Sequence, residues 1–265
     1  KKGKHEIPAD AQFSSILVPT IVTEQLEYVL GVLVKESHPI LLIGPTGTGK
    51  SALINKLLTK DMPQEVYRMI KVGFNAQTKS GDAQEIIDGR LGKRRKGVFG
   101  PPFGCKAVIF IDDINMPEIE EYGAQAPVEL MRQFCDQNGW YDNKEKAFRK
   151  MIDCQLLAAM LPPGGSNNHI TPRMMRWFSV ICIDEFETGA LTLIFSTILN
   201  WHMIQSKMPN EISKHTKGLA EACIEIYGAS RQNLRPTPVK SHYVFNLRDL
   251  ARITQGILAM KPYEG

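Results

Sequence analysis

Apolar positions along the chain change period several times, and each change marks a predicted element. Ile21–Val34 carries apolar residues at helical spacing, and Pro39-Ile40-Leu41-Leu42-Ile43 is a short continuous apolar run that ends at Gly44. The first pattern suits an amphipathic helix, the second a strand buried on both faces. The same reading predicts a helix over Lys50–Lys60, an alternating strand over Val66–Phe74, and a helix over Ser80–Leu91 with Asp82 near its start. Ala107–Ile111 is another fully apolar strand, Ala126–Asn138 a helix closed by Gly139, and Gln155–Met160 and Ser179–Ile183 two further short strands. Alternation of this kind is the signature of an α/β layer fold, with a parallel central sheet flanked by helices. After Asp184 the pattern is helical only. Thr188–Met260 holds three helix-like stretches, the last capped by Asn246 with Asp249 at N3. The expected organisation is therefore a large α/β domain over 1–186 and a small all-α lid domain over 187–265. No internal repeat interrupts it.

Composition narrows the class only slightly. A 265-residue chain with 43% hydrophobic and 23% charged residues has the profile of an ordered globular protein and not of a disordered one. A net charge of +4 permits an anionic partner but does not demand nucleic acid or a membrane surface. Cys105, Cys135, Cys154, Cys182 and Cys223 are widely spaced and form no C-x-x-C pair, so they read as small buried hydrophobes of a reducing compartment. The six histidines show no metal-ligand spacing. No apolar run approaches the ~20 residues needed to cross a bilayer, and the longest, around Ala190–Leu199, reads as a buried helix. Lys1-Lys2-Gly3-Lys4 is not followed by an apolar signal core, and the chain does not begin with Met, which suits a piece of a longer polypeptide.

The chemistry is concentrated in two places. Gly44-Pro45-Thr46-Gly47-Thr48-Gly49-Lys50-Ser51 fits G-x-x-x-x-G-K-[ST] and lies between a predicted strand and a predicted helix. Glycines at those positions let the backbone turn several N–H groups inward around phosphate oxygens. The helix that follows adds its positive N-terminal end, Lys50 a point charge for the β- and γ-phosphates of ATP, and Ser51 a hydroxyl for Mg²⁺. Downstream, Val108-Ile109-Phe110-Ile111 ends in the carboxylates of Asp112 and Asp113. In a parallel sheet such a strand end sits beside the phosphate loop. Asp112 is thereby placed to hold the metal through water and Asp113 to orient or deprotonate an attacking water.

These residues resemble an AAA+ ATPase module, a P-loop NTPase fold followed by a helical lid. The resemblance narrows with Val18-Pro19-Thr20, with Ile111-Asp112-Asp113-Ile114-Asn115-Met116-Pro117, and with Tyr122-Gly123-Ala124-Gln125. Adding Ala158-Ala159-Met160-Leu161-Pro162-Pro163-Gly164-Gly165 and Thr171-Pro172-Arg173, the chain is similar over essentially its whole length to the third AAA+ module of an axonemal dynein heavy chain. In that family six such modules form one ring that drives a microtubule motor. The resemblance implies that Arg173 is an arginine finger reaching a neighbouring module's nucleotide, a role that can contribute roughly 10³–10⁵ in rate. It implies that Arg248 is the second sensor, contacting γ-phosphate, and that backbone around Leu17 and Val18 holds adenine. It further implies ATP or ADP with Mg²⁺ as cofactors and neighbouring modules of the same heavy chain as partners. Microtubules and the dynein intermediate and light chains are implied through the parent motor, and the axoneme of a cilium or flagellum as the site of action. Neither nucleic acid nor a membrane is expected. Against the family's pattern, the lid is short, ending at Gly265 where another helix is expected.

Two positions depart from the AAA+ pattern. Asp113 stands where most modules have Glu, a side chain longer by one C–C bond, about 1.5 Å. Leu161 stands at the next strand end, where the first sensor is usually Asn, and it cannot hydrogen-bond water or phosphate. Both changes weaken hydrolysis while leaving the phosphate cradle whole, so tight binding with slow turnover is expected. The alternative is a fully active ATPase module. Lys93-Arg94-Arg95-Lys96 raises a nucleic-acid-handling reading, but the block lacks interleaved aromatics and reads as a solvated insert or an intramolecular contact. A small-molecule kinase fits poorly, having no use for a separate lid that carries Arg248.

Overall fold

The computed structural model describes residues 7, 8, 11, 13, 16–165 and 167–259. The basic Lys1–Lys4 segment, His5 and the 260–265 end lie outside the described residues. Contacts divide the chain into two compact units, one of residues 25–45 and 49–184, the other of the N-terminal residues to Glu24, the loop residues Thr46–Thr48, and 185–265.

The first unit is built on a five-stranded parallel sheet. Its strands are β1 (Ile40–Ile43), β2 (Tyr67–Gly73), β5 (Lys106–Asp112), β8 (Cys154–Met160) and β9 (Ser179–Cys182), in the order β2-β5-β8-β1-β9. Alternate residues of the apolar strands feed two separate cores. Leu41, Ile109, Ile111 and Ala158 pack on one face with α3 (Ser80–Asp88) and α4 (Ala126–Gln137). On the other face, Ile40, Leu42, Val108, Phe110 and Leu157 pack with Leu30 and Val34 of α1 (Ile21–Lys35) and Leu53 and Ile54 of α2 (Lys50–Lys56). Burial on both faces is why these strands read as continuous apolar runs. In β9, the edge strand, burial alternates, and Cys182 is exposed. That corrects the expectation that all five cysteines are interior, which Cys105 and Cys223 do meet.

Helix ends depart from expectation for local reasons. The helix expected to run to Lys60 is α-helical only through α2 and finishes in a π-helical turn, Leu57–Asp61, closed by Met62 N–H donating to Leu57 O at 2.9 Å. Pro63 follows and biases Met62 to the extended φ −99°, ψ 143° that it adopts. At the end of α4, Asn138, not Gly139, takes the left-handed turn (φ 51°), and Gly139 already belongs to the next strand.

That strand opens an element that periodicity does not reveal. β3 (Gly92–Arg95), β4 (Val98–Gly100), β6 (Gly139–Tyr141) and β7 (Phe148–Met151) make a second sheet in the order β3-β4-β7-β6. It joins the first core through Trp140 and Met151, both buried, and through Phe99. Arg149 of β7 lies over the Phe99 ring and donates to Asp88 at 2.9 Å and to Asp142. Burial nonetheless pushes the Asp88 carboxyl above its usual range. The basic block falls in and just after β3. Arg94 is spent internally, donating to Pro101 O at 2.8 Å and pairing with Asp153 at 2.7 Å, while Lys93, Arg95 and Lys96 are exposed.

In the second unit, α6 (Thr188–Gln205), α8 (Thr216–Asn233) and α9 (Leu247–Leu258) enclose a core of Leu191, Phe195, Leu199, Ala220, Ile224 and Leu250. A single helical turn, α7 (Asn210–Ser213), lies between α6 and α8, beyond the three stretches expected. The reading of α9 holds. Asn246 Oδ1 accepts from Arg248 N–H at 2.8 Å, and Asn246 N–H donates to Asp249 Oδ2 at 2.9 Å. No helix among the described residues is long and apolar enough to cross a membrane.

Candidate functional site

The phosphate loop leaves the carboxyl end of β1, where the strand order of the sheet changes direction. Gly44 is pressed against the end of β9, so that a Cβ there would lie 2.4 Å from the Ile183 carbonyl oxygen. Gly47 and Gly49 adopt φ of 88° and 80°, a region in which a side chain is strained and in which successive N–H groups converge on an anion. No side chain caps α2 at Gly49, and a helix N-terminus is an end that favours an anion. Lys50 is 8% exposed, and its ammonium donates to the Gly44 and Pro45 carbonyls, each at 2.7 Å. The charge is thus held inside the curve of the loop.

The second motif meets the first through sheet register. β5 lies between β2 and β8, with Asp112 opposite Gly73 and Ile111 opposite Ala158. At that strand end Ser51 Oγ donates to Asp112 Oδ1 at 2.9 Å. A hydroxyl and a carboxylate side by side are hard oxygen donors, the set that Mg²⁺ prefers. With the glycine cradle and the ammonium of Lys50, they fit a magnesium nucleotide. Lys71 of β2 stands on the other side of Asp112, with Nζ 3.9 Å from Oδ2. Sequence reasoning missed it, because only the register of β2 on β5 brings it there.

Asp113 follows in the left-handed conformation, φ 56°. Its carbonyl accepts from Met116 N–H at 3.0 Å, and Ile114 N–H donates to Ala159 O at 3.1 Å. Aspartate is among the few side chains that enter this region at modest cost. Leu161, at the end of β8, is half-buried and offers only its backbone to polar partners. Asn115, which sequence reasoning named only as part of a motif, is fully buried and donates to the carbonyls of Leu161 at 2.9 Å and Asn168 at 3.2 Å.

Arg173 lies in α5 (Pro172–Met175), exposed, in the same unit as the loop lysine and Asp112. Leu17 and Val18, both half-buried, precede Thr20, whose backbone and hydroxyl bond reciprocally with those of Thr23 to start α1. Arg248 is exposed in the first turn of α9. Leu17, Val18, Thr46–Thr48 and Arg248 belong to the second unit. The structure therefore brings together Gly44, Pro45, Gly49, Lys50, Ser51, Asp112 and Asp113 within one unit.

A parallel sheet with a glycine-lysine-serine phosphate loop at its switch point, a carboxylate-terminated strand one place beyond the loop strand's neighbour β8, and an appended helical unit defines a P-loop ATPase module of the AAA+ class. Residues 5–186 match the family described as the P-loop containing dynein motor region, and residues 197–265 match the dynein heavy chain ATPase lid domain. The chain is 45% identical over 257 residues to dynein axonemal heavy chain 3 of Mus musculus, and 44% identical over 264 residues to dynein axonemal heavy chain 1 of the same species. It is 43% identical over 251 residues to dynein axonemal heavy chain 12 of Mus musculus. These alignments cover 97%, 96% and 95% of this chain but only 6%, 6% and 8% of the relatives. The chain belongs to the dynein heavy chain family and is an AAA+ module of the axonemal type.

Proposed function

We propose that this module binds Mg-ATP tightly, hydrolyses it slowly, and serves as a nucleotide-gated element of a dynein motor ring, in the third position of that ring. The observation that carries the reading is the contrast between its two halves. The cradle is complete, with Lys50 drawn into the loop and Ser51 paired to Asp112 at 2.9 Å, whereas the groups that would act on water are a short carboxylate at Asp113 and an apolar Leu161.

In this reading the loop amides and Lys50 hold the phosphates, Ser51 and Asp112 hold the metal, and Asp113 orients water. Magnesium bound there would neutralise charge developing on the phosphate oxygens. Backbone at Leu17 and Val18 serves the adenine, Arg248 senses γ-phosphate, and Arg173 serves the nucleotide of a neighbouring module. Through the parent heavy chain the module acts with its ring neighbours, with microtubules and with intermediate and light chains, in the axoneme.

The test is single-turnover hydrolysis by the intact heavy-chain motor with the other phosphate loops disabled, together with fluorescent-nucleotide binding. Binding that is lost on Lys50→Ala, combined with slow release of phosphate, supports the proposal. Turnover as fast as that of the ring's principal site makes the module a full ATPase and overturns it.

A further inference from the structure

The turn after β5 and the loop after β8 are strapped together by hydrogen bonds centred on the Asn115 side chain. Asn115 is 0% exposed, and its one amide group donates to the carbonyls at both ends of the segment 161–168, Leu161 O at 2.9 Å and Asn168 O at 3.2 Å. The strap is reinforced from the other side. Asn168 N–H donates to Asn115 O at 3.1 Å, and Asn168 Nδ2 to Pro117 O at 2.7 Å. Pro117 O also accepts from Gln125 Nε2 at 2.7 Å, and Gln125 is itself buried. Between the two clamped carbonyls, Gly164 and Asn167 bond each other through their backbones, Gly164 N–H to Asn167 O at 3.0 Å and Asn167 N–H to Gly164 O at 3.1 Å. The segment leads, five residues beyond Asn168, to exposed Arg173.

We propose that Asn115 is a positioning residue that makes the Asp112–Asp113 strand end and the segment 161–168 one mechanical piece, so that ligand binding at Asp112 is passed by the hydrogen bonds of the Asn115 side-chain amide to the segment that leads to Arg173. Leu161 has no polar side chain with which to sense a ligand, but its backbone is gripped from two residues beyond Asp113. Buried amide donors are costly to remove, because both carbonyls are left without their partner. This inference rests on the nucleotide-binding reading given above, and it assigns a route that reading does not contain.

The experiment uses the intact heavy-chain motor with the other phosphate loops disabled, and reads two quantities. One is the affinity for a fluorescent ATP analogue. The other is amide hydrogen exchange across 161–176 with and without saturating Mg-ATP. The variants are Asn115→Asp, which keeps the side-chain shape but turns the donor into an acceptor, and Asn115→Ala, which removes both donated bonds without adding a charge. The expected result is that the wild type shows a nucleotide-dependent change in exchange across 161–176. In both variants affinity stays within about threefold and that change falls at least fivefold. A wild-type protein that does not bind the analogue at all overturns the function proposed above. A wild type that binds without any change in exchange, or variants that retain the change, overturn the role of Asn115 alone. If Asn115→Asp fails to fold, Asn115→Ala decides by the same criteria, and loss of binding in a folded Asn115 variant makes the strap a support of the whole pocket and also refutes the assignment.

Discussion

Asp113→Glu is the substitution that separates a restrained site from an incomplete one. The new carboxylate reaches further by one C–C bond, about 1.5 Å. A catalytic group misplaced by about 1 Å can lose on the order of 10² in rate, so restoring the reach should raise hydrolysis by up to that factor. The structure also sets the cost. Asp113 has φ 56°, and glutamate lacks the short polar arm that makes this region tolerable, so about 1 kcal/mol of stability is expected to go. That is a fraction of the stability of a domain of this size, and the fold should survive. Single-turnover phosphate release and a thermal melt of the intact motor measure both effects, with fluorescent nucleotide as the control for binding. A variant that binds nucleotide as before, melts within a few degrees of the parent and hydrolyses no faster would refute the idea that reach limits this site. Leu161 would then stand as the cause of any slow turnover.

Two further outcomes follow from contacts around the loop and the cysteines. Gly44→Ala places a methyl 2.4 Å from the Ile183 carbonyl oxygen, where backbone on both sides must yield, so a loss on the order of 3 kcal/mol is expected in chemical denaturation. A change under half of that would mean that β9 shifts freely. A maleimide at pH 8 should modify exposed Cys182 well before Cys135 or Cys154, whose thiols burial pushes up to about 12 and keeps protonated and unreactive. Peptide mapping that finds Cys154 labelled as fast as Cys182 in the folded protein would contradict this order.

What could be read from the sequence is what depends on short-range rules. The phosphate loop is contiguous, and its glycines and lysine announce themselves. The central strands are legible because residues such as Leu41 and Leu42 enter opposite cores, which forces an unbroken apolar run. The cap of α9 is local too, since Asn246 and Asp249 act within one turn. The second sheet escapes for the opposite reason. Its strands are three or four residues long, the first is Gly-Lys-Arg-Arg, and its attachment depends on Arg149 meeting Asp88 from 61 positions away. Cys182 was misjudged because a strand's place at the sheet edge is a property of strand order and not of the strand's own residues.

The site divides in the same way. Ser51 and Asp112 are also 61 positions apart, yet their meeting was foreseeable, because the carboxyl ends of the strands of a parallel sheet all open on the side where the phosphate loop lies. Lys71 and Asn115 obey no such rule. Lys71 reaches Asp112 only through the register that sets Gly73 opposite Asp112, and Asn115 reaches Leu161 and Asn168 only because the loop after β8 folds back over the turn after β5. In sequence both look ordinary, one a half-exposed lysine on a strand and the other a polar residue in a turn. If Asp113 and Leu161 restrain hydrolysis as proposed, the remaining specificity of the module lies in such contacts. Substitutions at Asn115 are therefore expected to alter how binding is communicated while the phosphate loop goes on gripping its ligand.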